Sequence, residues 1–232
     1  MKQTIKIPWL VITGLDGSGK TSLVDNLEKL FTEMGLRVKR FRSPHDTYLI
    51  HDLLNVSGDG DQMKDRYTDR LIFALDNRIL GTRIRHWSSE GEYDILLSQR
   101  GFFDSFVHGA VQGYSYHEIA TLNQIDDLPK CTVMIHLCAD STVAYNRIKN
   151  DDDMDKFETP AYMRRQEFET RRGFRVLTQT ENPELSAFKG IKNFFIDTTE
   201  LTSDEVYSIA LSRLKEFFRE SYPDFAAKLD SQ

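Results

Sequence analysis

The sequence predicts an α/β protein, a five-stranded parallel sheet between layers of helices, on three observations. Short apolar or alternating runs recur along nearly the whole chain, and each gives way to a stretch of helical periodicity. The 232 residues also suit one core of ordinary size, with 40% apolar and 28% charged residues and only 6 Pro and 13 Gly. The first strand is read over Ile7–Thr13, on the apolar run Ile7-Pro8-Trp9-Leu10-Val11-Ile12. That run meets a Gly-rich stretch before it could span a bilayer and carries no small-residue cleavage site, so an intracellular, cytoplasmic protein without a membrane anchor is expected. The first helix follows from Leu23, Leu27, Leu30, Phe31 and Met34, spaced on one helical face, with Gly35 placed to end it. Further strands are read at Arg37–Ser43, Asp94–Ser98, Thr132–Cys138 and Asn193–Asp197. The last helix opens on a capping box, Thr202 with Glu205, and turns Val206, Ile209, Ala210, Leu214 and Phe217 inward. Asn55–Asp61 has loop composition, and Asn150–Asp155 is a charge run between helical stretches. With no repeat and no linker, a single domain over residues 1–232 is expected.

Thirty basic against 36 acidic residues give a net charge of -6, which argues against a body built to bind nucleic-acid backbones and leaves room only for a local basic groove. Cys131 and Cys138 are the only cysteines, too few for a disulfide scaffold or a zinc site, and are read as reduced core thiols. His136 lies in the strand Val133-Met134-Ile135-His136-Leu137 and is read as a satisfied core histidine.

Chemistry concentrates at Gly14-Leu15-Asp16-Gly17-Ser18-Gly19-Lys20-Thr21, which satisfies G-x-x-x-x-G-K-[ST] between an apolar strand and the first turn of a helix. Glycine lets the chain wrap so that successive backbone N–H groups face phosphate oxygens, and the helix N-terminus adds its positive dipole. The reading is an ATP site formed by Gly14, Asp16, Gly17, Ser18, Gly19, Lys20, Thr21 and Ser22, with Lys20 reaching the β- and γ-phosphates and Thr21 giving its hydroxyl to Mg²⁺.

Four further segments follow this loop: Arg42-Ser43-Pro44 after strand two, Leu71-Ile72-Phe73-Ala74-Leu75-Asp76-Asn77-Arg78 in a helix, Gln99-Arg100 after strand three, and Arg147 to Glu158, ending Asp155-Lys156-Phe157-Glu158. In this order and spacing, over most of the chain, the sequence resembles the thymidylate kinase family of nucleoside monophosphate kinases. The resemblance implies a P-loop kinase fold with strand order 2-3-1-4-5, a mobile lid over about 147–160, a homodimer, and ATP- and Mg²⁺-dependent conversion of dTMP to dTDP in nucleotide biosynthesis. Under it Phe73 stacks on the acceptor's pyrimidine, Arg78 bonds the base edge, Arg100 clamps the acceptor phosphate with Arg42 nearby, and Asp16 lies near the sugar 3′-hydroxyl.

The sequence also departs from that family. Arg78 falls one position after the family's arginine, Gly101 stands where an aromatic is usual, and a small insertion precedes Ser105. Gln99 replaces an Asp that helps organise magnesium and the acceptor. Asp94 cannot substitute, because five residues along a strand is roughly 16 Å. Gly17 leaves the loop without a cation for the transferring group, so the lid must supply one from Arg147, Lys149 or Lys156, the last in place of the family's arginine. Asp151–Asp153 reads as a solvated hinge. Two rival readings stand beside the dTMP kinase. One is a kinase of the same fold acting on a hydroxyl of a deoxynucleoside or of a hydroxymethylated pyrimidine, with DNA as a further acceptor and Asp16 or Asp104 as base. The other is a nucleotide-binding module without turnover.

Overall fold

The computed structural model describes residues 5–44, 66–150, 157–179 and 188–230. Within them β1 (Trp9–Gly14), β2 (Val38–Arg42), β3 (Ile95–Gln99), β4 (Val133–Cys138) and β5 (Lys192–Asp197) form one parallel sheet in the order β2-β3-β1-β4-β5. This is the order the resemblance implies, and each strand lies within two residues of its expected bounds. The helices are α1 (Lys20–Glu33), α2 (Arg66–Ser89), α3 (Phe102–Val111), α4 (Tyr116–Asn123), α5 (Ser141–Ile148), α6 (Pro160–Gln179), α7 (Ser203–Ser221) and α8 (Pro223–Asp230). The loop expected at Asn55–Asp61 and the acidic run Asp151–Asp153 lie outside the described residues. No described helix is long and apolar enough to cross a membrane.

The central strands β1, β3 and β4 are buried at every position, and mostly apolar, because both sheet faces are covered. Leu10, Ile12, Leu97 and Ile135 gather with Leu27 and Phe31 of α1 and Leu214 of α7. Their neighbours Trp9, Val11, Leu96 and Met134 form a second cluster with Phe102, Phe103 and Phe106 of α3. Helix α1 ends as expected at Gly35 (φ +75°), with Gly35 N–H donating to Thr32 O at 2.9 Å and Leu36 N–H to Phe31 O at 3.0 Å, the paired bonds of a Schellman motif. The capping box of α7 is present, Thr202 Oγ1 accepting from Glu205 N–H at 3.3 Å and Glu205 Oε2 from Thr202 N–H at 2.8 Å. Its fully buried aromatic is Phe218, four residues after Leu214 on the same face, whereas Phe217 is only partly covered.

Cys131 and Cys138 are free and buried, and burial pushes both thiols up to about 12. His136 is enclosed edge-on by Phe103 and Phe174, each at 5.0 Å, and burial lowers it to about 4. It is neutral, with Nε2 paired to Asn193 Oδ1 at 3.0 Å. Its Nδ1 has no hydrogen-bond partner, so it is less completely satisfied than the sequence reading expected.

Strand register assembles the site. Gln99 pairs with both Ile12 and Arg42, and Gly14 with Leu137, so the loops leaving β1, β2, β3 and β4 emerge at one edge of the sheet. Asp94 is at the opposite end of β3, in an ion pair with Arg37 at 2.9 Å.

Candidate active site

The loop after β1 can be built only with glycine at two points. Gly14 has φ +137°, and a Cβ there would stand 1.8 Å from Leu137 O; Gly17 has φ +75°, and its Cβ would stand 2.3 Å from Ala144 O. Gly19 has φ +91° with open space where a Cβ would go. Leu15 anchors the loop in a small apolar cluster with Ala144, Ile148 and Met163. Lys20 folds back beneath it, Nζ donating to Leu15 O at 2.7 Å and to Asp16 Oδ1 at 3.0 Å. Burial lowers the Lys20 amine, a shift that Asp16 opposes. The backbone cradle and the Ser18 hydroxyl, buried with no partner, fit a phosphate chain.

Beside the loop, Gln99 donates from Nε2 to Thr21 Oγ1 at 3.1 Å, so the amide orients the hydroxyl that would serve Mg²⁺. Arg100 follows with φ +68°, a left-handed conformation that costs a non-glycine residue on the order of 1–3 kcal/mol and that is held by its N–H bond to Ile12 O at 2.7 Å. The turn aims the guanidinium back across the loop, where Nη2 donates to Asp16 Oδ1 and Nη1 to His108 Nε2 at 3.1 Å. Burial alone would raise the Asp16 carboxyl, but the charges of Arg100 and Lys20 hold it well below the usual carboxylate range. Burial raises Asp104, against the pull of Arg100; its two oxygens accept from Thr13 Oγ1 at 2.8 Å and Gly101 N–H at 2.9 Å.

Asp16, Lys20, Thr21, Ser22, Arg42, Gln99 and Arg147 line one cleft of about 700 Å³, with Gly17 and Gly19 in its floor. Phe73 lies beyond Arg100, nearly parallel to His108 with ring centres 6.1 Å apart, and tilted against Phe157 at 6.3 Å. Arg78 is not brought to this cluster. It lies on the exposed side of α2, 3.7 Å from Asp127, because one residue of helical rotation separates it from the buried face of residues 70, 73 and 77. Asn77, at the position of the family's arginine, is buried instead and donates to Ser105 Oγ at 2.7 Å and to Asn123 Oδ1 at 2.6 Å. Arg147, expected as a lid cation, donates to Gly17 O at 3.2 Å, Thr198 O at 3.0 Å and Thr199 O at 3.2 Å. Lys156 lies outside the described residues.

Sequence reasoning passed over Arg70, His108 and Tyr162. Arg70 is 3% exposed, its guanidinium 4.4 Å above the Phe73 ring; Nη1 donates to Ser105 O at 3.3 Å, while Nε and Nη2 have no partner. Its signal was present, since Arg70 precedes Phe73 by three positions on the same helical face. His108 and Tyr162 carried none, because 54 residues separate them.

A strand-to-helix glycine loop over a buried lysine, opening on a cleft with a cationic far wall, defines a P-loop phosphotransferase. The profile of the thymidylate kinase family matches residues 12–195, and the chain belongs to that family. It is 23% identical over 211 residues to a probable thymidylate kinase of Methanosphaera stadtmanae, covering 89% of this chain and 99% of that protein. It is 27% identical over 157 residues to the thymidylate kinase of Caldicellulosiruptor saccharolyticus, covering 67% and 76%, and 30% identical over 149 residues to a probable thymidylate kinase of Metallosphaera sedula, covering 64% and 69%. The protein is thus a nucleotide kinase with small nucleotide substrates.

Proposed function

We propose that this kinase transfers the γ-phosphoryl group of ATP to the phosphate of a pyrimidine nucleotide, dTMP in the first place. The observation that carries the reading is the state of the two carboxylates able to act as base. Asp16 is pinned between Lys20 and Arg100 and held far below the range of a working base, and Asp104, although burial raises its carboxyl, is 7% exposed, bonded to Thr13 and Gly101, and not among the residues lining the cleft. Gln99 is no base either. A phosphate monoester is nucleophilic at neutral pH without losing a proton, whereas an alcohol gains from a base.

In this reading one domain over residues 1–232 carries a lid at about 147–160. The loop N–H groups and Lys20 hold the donor phosphates, with Ser18 and Ser22 beside them. Thr21, steadied by Gln99, is the residue that would hold Mg²⁺, which would supply charge neutralisation at the phosphates. Arg100 exchanges Asp16 for the acceptor phosphate, Arg42 supports it from the cleft wall, and Phe73 carries the base. Lys156 keeps the role of cation for the transferring group, while the three carbonyl contacts of Arg147 make it a brace on the donor side.

The test is labelling from γ-³²P-ATP with dTMP, thymidine and DNA containing hydroxymethyluracil. dTMP is expected to be labelled, and Arg100→Ala is expected to raise its KM by about 10- to 100-fold, the worth of a charge-assisted hydrogen bond. Labelling of thymidine or of the DNA, with none of dTMP, refutes the reading and reopens the hydroxyl acceptor; no labelling of any of them favours the inert module.

Arg70 is the polar group best placed to meet the base edge, since its unmatched donors lie beside Phe73. A buried guanidinium with two of its three nitrogens unmatched is costly. Arg70→Met is therefore expected to raise thermal stability by about 1–3 kcal/mol and to weaken dTMP binding. A calorimetric melt and a binding isotherm check the two opposite signs, and a variant that is less stable yet binds normally would refute the assignment.

A further inference from the structure

We infer that His108 is a positioning residue for Arg100, holding the guanidinium in its clamping orientation by accepting from it at Nε2 while Tyr162 holds the other ring nitrogen. The inference rests on Arg100 being the acceptor-phosphate clamp.

A guanidinium carries only donors, so in the 3.1 Å contact with Arg100 Nη1 the imidazole Nε2 must accept. The ring proton then belongs on Nδ1, where it is donated to Tyr162 Oη at 2.8 Å. The Arg100 contact selects this tautomer, the Tyr162 contact is compatible with it, and the ring is 4% exposed. Burial and the charges of Arg100 and Arg70 keep the imidazole neutral, with Lys20 of α1 adding to them and Asp16 of the loop opposing. Protonated Nε2 would turn an N–H against a guanidinium that has nothing to accept it.

The consequence is a fork fixed at one tine. With Nη1 anchored on His108, Nη2 can trade Asp16 for a phosphate oxygen while the guanidinium plane stays where it is. The same imidazole stacks nearly parallel to Phe73, at 15°, and on Tyr162, at 30°. His108 therefore joins the base platform on α2, the phosphate clamp after β3, and the first turn of α6, which follows the lid segment.

Four variants test this with dTMP and ATP as probes. His108→Phe keeps the stacking and removes the acceptor; it is expected to raise the dTMP KM about 10- to 100-fold with the ATP KM unchanged and kcat less affected. His108→Gln places an acceptor near the Nε2 position and is expected to restore most of the loss, whereas His108→Asn, with polar atoms only near the Nδ1 position, is not. Tyr162→Phe, which removes the partner of Nδ1 and loosens the ring, is expected to fall between. Equal KM values for the Gln and Asn variants, or a normal KM in His108→Phe while Arg100→Ala is impaired, overturns the inference and leaves the clamp standing. A normal dTMP KM in Arg100→Ala overturns both. Should the variants fail to fold, ¹⁵N shifts of the His108 ring in the intact chain decide: a protonated Nδ1 with bare Nε2 is expected, and the opposite tautomer refutes the proposal.

Discussion

Lys20→Ala is expected to cut turnover by a factor on the order of 10³ while the protein still folds. Lys20 is 4% exposed, held by Leu15 O and Asp16, and lines the cleft beside the loop. No other loop side chain can replace its charge, because the neighbouring positions are Gly17, Ser18 and Gly19. The fold survives because Asp16 keeps Arg100 as a partner and because the deleted amine was itself disfavoured by burial. Steady-state phosphotransfer and a thermal melt on the same sample separate the two effects. Undiminished transfer would remove this loop from the mechanism.

Among the described glycines, Gly14→Ala should be the most damaging substitution. At φ +137° and 1.8 Å from Leu137 O, the new carbon collides with the backbone of the strand paired to β1, and neither strand can retreat from the centre of the sheet. A loss above about 4 kcal/mol is expected, beyond the ordinary range for point substitutions. Gly19→Ala is the control: its Cβ meets nothing within 4 Å, so only the left-handed backbone is penalised, by about 1–2 kcal/mol. Denaturant titration of the two variants should separate them clearly, and equal midpoints would mean that β1 and β4 tolerate the displacement.

Elements whose determinants are local were legible. The strands showed as apolar runs because both sheet faces are buried, the ends of α1 and α7 were written in Gly35 and in Thr202 with Glu205, and the phosphate loop is a contiguous motif. The acceptor side was legible only in part. Phe73 and Arg100 could be nominated from their segments, but Arg78 and Asn77 differ by one residue, and that step decides whether a side chain faces α3 or solvent. The partners of Arg100 are 84 residues upstream and 8 residues downstream, and nothing in the intervening sequence marks Asp16 and His108 as neighbours. The engagement of Asp104, which bears on the choice between acceptors, depends on the fold bringing Thr13 of β1 against the first turn of α3.

The two cysteines offer a use unrelated to phosphoryl transfer. Both thiols are enclosed in the sheet's surroundings and stay protonated at neutral pH, so the folded chain presents no thiolate to an alkylating reagent. Reaction must wait for the structure around β4 to open, and with no third cysteine in the sequence there is no background from the surface. The native chain therefore carries a pair of chemical clocks, one just before β4 and one at its end, whose alkylation rates time the opening of the strand that Gly14 packs against.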